Sequence, residues 1–448
     1  MGDVLENVLI PLLSEMISNR CVNTGDPESG NEVKSADTLE RFFNGYGIPV
    51  SRFELIKNRT NLLVRIPGRN PKAPSLMYMG HTDVVPARED DWSRDPFGGE
   101  VVDGELWGRG AVDMLNMTAS MAVGIAEAYK KNGPYDGDLC FLAVADEEAS
   151  GNYGAKWLTD EHWKEVRADF MIAELGGFHV DTGRGSLPTI TLGEKGIAWL
   201  RLTVKGTPGH GSMPYRGNNS VVKLSRLVSK LDVSLGKPVM HPMFRRMASG
   251  LSANPRERFL LSFPRTLDAG LSLVWKRSRG LAKFLHTAAY TSVSPNVIRG
   301  GDKVNVIPDR AYCDLDIRLL PGQTDDDIIG VISREAARMG IDAEIKKLEF
   351  FPSNVSEEDT PLMRAVHAER ASVSGAGNPV PMMIGGVTDG RFWRRKGTTV
   401  YGYVPFDAGM TMSRYASMIH GIDERISLCS LQRHIDFFRV LPEYFYSV

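Results

Sequence analysis

The sequence predicts an α/β protein that carries an inserted α+β domain, and three observations support this. Short strands that are apolar throughout alternate with helices, the pattern of a sheet covered on both faces. Near residue 195 this gives way to long strands of alternating polarity, and after about residue 322 the strand–helix alternation resumes. We therefore expect a discontinuous first domain over 1–195 and 323–448, interrupted by a second domain over 196–322. A chain of 448 residues is long enough to build two cores.

Residues 4–19 and 31–46 have helical spacing of apolar positions. Strands are expected at Asn61–Ile66 and Ser75–Gly80, the second (LMYMG) running straight into His81. The segment WSRDPFGGEVVDGELWGRGAVD reads as a loop with a short hairpin, followed by a helix from Asp113 to Lys131. Leu139–Ala145 is a buried strand ending in Asp146-Glu147-Glu148, and Phe170–Ala173 is another, ending at Glu174. A helix from about Asn152 lies between them. The inserted block opens with ITLGEKGIAWLRLTVKGTPGHGSMP, continues through a helix near 219–231, and contains two strands around a Gly turn within 292–322. A helix begins at Asp325. The last part has a helix near 360–374, the strand TTVYGYV and a final helix over 426–438.

The formal net charge of −2 leaves no basic footprint for nucleic acid. No uninterrupted apolar run approaches the ~20 residues of a membrane span. The N-terminal stretch is amphipathic, without a basic start or a small-residue cleavage site, so it is not read as a secretion signal. Cys21, Cys140, Cys313 and Cys429 form no CxxC pair and are expected to be free thiols, which fits a cytoplasmic protein.

The chemistry-bearing residues fall at strand ends. His81, Glu147, Glu148 and Glu174 sit just past the carboxyl ends of expected central strands, the edge where open α/β sheets bind ligands. In HTD, Asp83 can accept the second ring N–H of His81 if the strand persists. Asp113, after the glycines of WGRGAVD, reads on its own as a helix N-cap. Three adjacent acids after an apolar strand repel one another unless a cation is present, and coordination is a standard way to keep a buried carboxylate charged. One such carboxylate can ligate while its neighbour stays free to move a proton. With His420 of MIHGIDERI the set holds two histidines and several carboxylates, suited to zinc and also to cobalt or manganese.

GHTDVVP, GRGAVDM, ADEEASGNYGA, the strand-end Glu174, GHGSMP and HGIDERI occur in the order found in peptidase family M20, and the chain resembles that family over nearly its whole length. The resemblance implies a di-zinc aminopeptidase-like catalytic domain with an inserted lid or dimerisation domain. It implies two divalent metal ions, one held by His81 and Glu174, the other by Glu148 and His420, with Asp113 bridging. Asp83 would support His81, and Glu147 would be the general base and acid. His210 matches the family histidine that reaches the scissile carbonyl, commonly from the partner subunit of a homodimer. Asn296, Arg318, Gly386, Thr388, Asp389 and Arg391 match positions that contact substrate. Glu at position 174 is what deacylases and carboxypeptidases of the family tend to carry. The expected reaction is hydrolysis of an amide bond beside a free carboxylate, in an N-acyl amino acid or a short peptide.

Two departures stand out. Met114-Leu115-Asn116 replaces the Met-Lys-Gly that often follows the bridging aspartate. The insert is also longer than the minimal family version, by roughly 236–290, a segment with ten Lys and Arg against two acids. It reads as a solvated helical elaboration or dimer contact, or alternatively as a basic lid that receives a long or acidic acyl group. The rival functional readings are a dipeptidase or aminopeptidase of the same family and a catalytically inactive binding protein on this fold.

Overall fold

The computed structural model describes residues 2–183, 185–231, 233–373 and 377–447. The chain divides into two compact units: 1–192, 356–382 and 388–448 in the first, 193–355 and 383–387 in the second.

In the first unit the strands Leu139–Val144, Leu76–His81, Phe170–Ala173 and Thr399–Gly402 lie side by side in that order, all parallel. Thr60–Ile66 and Val50–Glu54 extend one edge antiparallel. Leu76–His81 and Leu139–Val144 are buried at every position, as their uninterrupted apolar sequences require. One face packs Met77, Met79, Leu142 and Val144 with Trp393. The helices Leu115–Asn132 and Leu428–Phe445 pack against each other, and Tyr78 donates its hydroxyl to the Phe438 carbonyl at 3.0 Å. They approach so closely that a Cβ at Gly124 would lie 2.3 Å from the Phe438 Cβ, which only glycine avoids.

The parallel register places His81 opposite Val144, so the two strands end together. The residues that follow them, and Glu174 after Ala173, therefore emerge along one edge. The expected hairpin is present as Val101–Val102 and Glu105–Trp107, and Arg425–Ser427 adds a third strand to it.

The second unit is an antiparallel sheet in the order Ser234–Leu235, Thr291–Gly300, Arg310–Leu319, Gly196–Lys205, Ala343–Phe351. Along Arg310–Leu319 the residues Ala311, Cys313, Leu315, Ile317 and Leu319 are buried and alternate with more open ones. The helices Ser220–Val228 and Asp325–Arg338 contribute Leu224, Leu227, Ile328 and Ile332 to this core. Asn219 caps the first through Val221 N and Val222 N; Thr324 and Asp327 form a reciprocal capping box on the second. The segment 236–290 folds into four helices, Pro242–Leu251, Pro255–Leu261, Leu267–Arg277 and Arg279–Ala289.

The second unit runs to Val355 rather than stopping near 322. Strand Ala343–Phe351 pairs with Gly196–Lys205 and carries the chain on. Its sequence AEIKKLEFF is half exposed and lacks the apolar alternation that marks a core strand. Of the four cysteines, Cys21, Cys140 and Cys313 are buried free thiols and Cys429 is exposed. Among the described residues no helix is long and apolar enough to cross a membrane.

Candidate metal centre

The carboxylate of Asp113 stands between two histidines. Its Oδ1 lies 3.3 Å from His81 Nε2 and its Oδ2 3.4 Å from His420 Nε2. Glu174 Oε2 is 3.9 Å from His81 Nε2, and Glu148 Oε2 is 3.0 Å from His420 Nε2. Two groups result, His81–Asp113–Glu174 and Asp113–Glu148–His420, each with its ligand atoms within 4.8 Å of one another and each including Asp113. This is the geometry a pair of divalent cations bridged by one carboxylate requires.

Local structure explains how these side chains meet. His81 closes its strand, and Thr118 fixes its carbonyl with a 2.8 Å hydrogen bond. Asp113 is not a helix cap. Met114 occupies that position for Leu115–Asn132 and makes no side-chain capping bond, which leaves the Asp113 carboxylate to the histidines. A Cβ at Gly402 would lie 2.0 Å from the Glu174 carbonyl, so the neighbouring strand end must be glycine for the Glu174 backbone to pass. Asp146 and His420 both adopt positive φ, 71° and 56°, at the turns that deliver Glu147-Glu148 and the His420 ring.

Asp83 acts differently from the sequence expectation. The strand ends at His81, so the two residues do not share a strand face, and His81 Nδ1 meets the Asp83 backbone carbonyl at 2.9 Å. The Asp83 carboxylate is 3.6 Å from that ring nitrogen. It accepts instead from Glu147 N at 3.2 Å, Glu148 N at 3.1 Å and Asn23 Nδ2 at 2.8 Å. Asp83 thus holds the acidic turn as well as standing beside His81, whose charged form its carboxylate favours.

The electrostatics express an excess of negative charge. Burial, with Glu174 next, pushes the Glu147 carboxyl well above its usual range. Burial raises Glu174 to about 8 and also raises Glu148. The Asp113 and Glu148 hydrogen bonds raise His420 to about 10. Burial opposes charging of His81, but the Asp113 hydrogen bond and the Glu147 and Glu174 charges outweigh it and lift its pKa well above the usual value. Burial likewise opposes ionisation of Asp113, yet its two histidine hydrogen bonds hold it below the ordinary carboxylate range. Glu148 Oε1 is buried with no hydrogen-bond partner among the described residues. An orphaned carboxylate oxygen inside a cluster of mutually repelling acids fits a cation.

The structure also brings in residues that the sequence reading did not single out. Glu424 is fully buried and accepts from Val112 N at 2.6 Å, Asp113 N at 2.9 Å and Gly110 N at 3.1 Å, while Arg109 pairs with it at 2.7 Å. Arg59 bridges Glu32, at 2.7 and 2.8 Å, to Asp146 at 3.0 Å. The sequence signal for Glu424 is its place in HGIDERI and for Glu32 its place in PESGNE, where the family resemblance begins; Arg59 and Asn23 carry no such signal.

The family described as Peptidase family M20/M25/M40 matches residues 77–443. The chain belongs to this M20 family. It is 28% identical over 430 residues to a succinyl-diaminopimelate desuccinylase of Cereibacter sphaeroides, covering 94% of this chain and 95% of that one. It is 27% identical over 390 residues to the N-fatty-acyl-amino acid synthase/hydrolase of Xenopus tropicalis, covering 84% and 73%. Its fold is that of an M20 metallo-carboxypeptidase, Sso-CP2 of Sulfolobus solfataricus, at a TM-score of 0.71, 19% identity and 99% coverage of both chains. As an M20 member the chain is a metallo-hydrolase, and the two groups around Asp113 are its candidate metal centre.

The positions that the family resemblance implies for substrate contact lie in both units. Asp389 is buried beside Gly151; neither carboxylate oxygen accepts a hydrogen bond among the described residues, and burial raises it to about 7. Arg391 is buried and donates to the carbonyls of Thr388 at 2.8 Å and Ser150 at 2.9 Å, so its guanidinium braces the loop. Thr388 is buried in the same loop.

In the second unit Arg318 engages Asp316 with both arms of its fork, at 2.8 and 2.9 Å, and donates to Gly385 O at 3.3 Å. Asp316, two residues away on the same strand face, is thus its acidic partner. Gly386 is exposed, with open space where a Cβ would stand. Asn296 is exposed with Oδ1 on the Ser294 hydroxyl. His210 is exposed, its Nδ1 2.7 Å from Ser212 Oγ.

Proposed function

We propose that this chain hydrolyses an amide bond next to a free carboxylate, as an N-acyl amino acid deacylase or a carboxypeptidase. The observation that carries the reading is Asp113 shared between two His-carboxylate groups while Glu147, in neither group, is half-buried and feels the charges of Glu174 and His81 in one group and Glu148 in the other. His81 and Glu174 would hold one divalent ion, Glu148 and His420 the other, and Asp113 both, with zinc first and cobalt or manganese as alternatives. Bound there, the ions would supply Lewis acidity to water and to the scissile carbonyl.

Glu147 takes a proton from the attacking water and passes it to the leaving nitrogen. Asp83 accepts from the backbone N–H of both Glu147 and Glu148 and so would orient the turn that carries the two carboxylates. His210 would donate to the carbonyl oxygen from a partner subunit in a homodimer, and losing one such donor typically costs ~10²–10³ in rate. Asn296, Arg318 and Thr388 are the side chains proposed to contact the substrate. The three buried free thiols suit a cytoplasmic setting.

A screen of N-acyl amino acids against unblocked dipeptides, with zinc, cobalt or manganese added, tests the reading. Turnover of the N-acyl set is expected. Turnover confined to dipeptides with a free α-amine would make the chain a dipeptidase.

A further inference from the structure

The helical segment that lengthens the insert builds a cavity of about 1020 Å³ within the second unit. That is the upper end of the ~300–1,000 Å³ range for small-molecule pockets. Its walls are the helices Leu267–Arg277 and Arg279–Ala289 and the start of the strand Thr291–Gly300. Val233, Leu271, Trp275, Ala282 and Val293 make most of the lining apolar. Trp275 and Val233 remain 44% and 56% exposed although they face this concavity, so apolar surface is left uncovered there.

The charged groups on the lining are unbalanced. Lys276 and Lys283 both line it, and neither has an ion pair among the described residues. The one acid of the lining, Asp268, already accepts the Tyr290 hydroxyl at 2.8 Å. Two uncompensated ammonium groups over an apolar trough call for a ligand with a long apolar body and an anionic end.

The wall is also braced. Lys195, 1% exposed, donates to the Thr287 and Tyr290 carbonyls at 2.9 and 2.7 Å, where the helix Arg279–Ala289 ends. A donor at a helix C-terminus satisfies the last carbonyls, and burial lowers this lysine to about 7. Thr287 and Ser292 of the lining are therefore held by the buried Lys195 side chain, which favours a formed cavity over one that collapses.

We propose that this cavity is a binding site for a long-chain carboxylate, the chain lying on Val233, Leu271, Trp275, Ala282 and Val293 and the carboxylate paired with Lys276 and Lys283. The site uses no residue of the metal centre, so it stands or falls independently of the hydrolytic reading.

Calorimetric titration of the full-length protein with laurate, below its micelle-forming concentration, tests this. One saturable site per chain is expected, with dodecanol binding at least tenfold more weakly. The double variant Lys276→Ala/Lys283→Ala should lose at least tenfold in laurate affinity. Val233→Asp, a change at an exposed position, should do the same with an unchanged melting temperature. Tryptophan emission should respond to laurate in the parent and not in Trp275→Phe. Absence of laurate binding, equal affinity for laurate and dodecanol, or unaltered affinity in the lysine variant would overturn the proposal. So would binding seen only with anionic phospholipid vesicles, which would make the segment a membrane-docking surface instead.

Discussion

Glu424 accepts the backbone N–H of Asp113 at 2.9 Å, and through Val112 N and Gly110 N it gathers the whole loop that presents the shared aspartate. Its own charge is balanced by Arg109 at 2.7 Å, with both side chains buried. Glu424→Ala leaves Arg109 buried and unpaired and frees three backbone donors. Breaking a buried pair from one side typically costs about 3–5 kcal/mol. A matching drop in stability, with the paired metal sites lost together, is expected from denaturant titration and metal analysis. A stable variant with full metal content would show that the loop is held by other contacts.

Asp83 makes a separable contribution. Asp83→Asn keeps the shape but turns one acceptor into a donor facing the N–H of Glu147 or Glu148. Substitutions of groups that orient ligands commonly cost 10–100-fold in metal affinity. The loss should fall on the ion held by Glu148, measured by competition with a chelator. Equal weakening of both ions would return Asp83 to a role at His81.

For Glu147 the expected signature is activity without metal loss. Glu147→Gln should lower kcat by at least about 10³, the scale of general acid–base assistance plus the lost proton carrier. Metal content should stay at the parent level, since Glu147 belongs to neither ligand group. Retained turnover would mean that another group moves the proton.

His434 predicts a pH effect away from the site. Its ring is buried, 4.9 Å from the Phe406 ring centroid, and neither nitrogen has a hydrogen-bond partner among the described residues. Burial pushes its pKa from 6.5 down to about 3. The folded chain therefore keeps it neutral where the unfolded chain binds a proton. Stability falls as pH drops from 6.5 towards 3, by up to about 1.4 kcal/mol per pH unit from this group. In His434→Phe that component is absent, so the variant should gain on the parent in melting temperature as pH falls. A melting-temperature difference that stays constant with pH would show that His434 does not titrate.

Gly124→Ala tests the helix contact behind the sheet. Alanine favours a helix by about 1 kcal/mol over glycine. Here its Cβ would meet Phe438 at 2.3 Å, and overpacking of this kind typically costs about 1–3 kcal/mol. A net loss in chemical denaturation is expected; a net gain would mean that the two helices separate freely.

The central strands and their acidic ends were legible because burial on both faces forces long apolar runs. LMYMG and CFLAVA announce themselves, and whatever charged residue follows such a run is conspicuous. The helices at Asp325 and Leu428 were legible for the related reason that periodicity and capping residues are local. Strand Ala343–Phe351 was not, because half-exposed edge strands carry no such periodicity. Arg318 and Arg391 carried the right residue type for a carboxylate, but their nearest partners are Asp316 and loop carbonyls. Carbonyl and backbone N–H partners leave no trace in residue identity.

The sequence by itself determined the kind of chemistry: two histidines and a set of carboxylates, delivered to one edge of a parallel sheet, in the order of the M20 family. Only the tertiary structure decided that Asp113 faces His81 with one oxygen and His420 with the other, that Asp83 also serves a backbone turn, and that the long insert forms an open apolar concavity with Lys276 and Lys283 on its lining. Residue type and spacing encode which groups can be buried and where strands end. The partner each group finds depends on loops whose course is set by contacts between segments far apart in the chain.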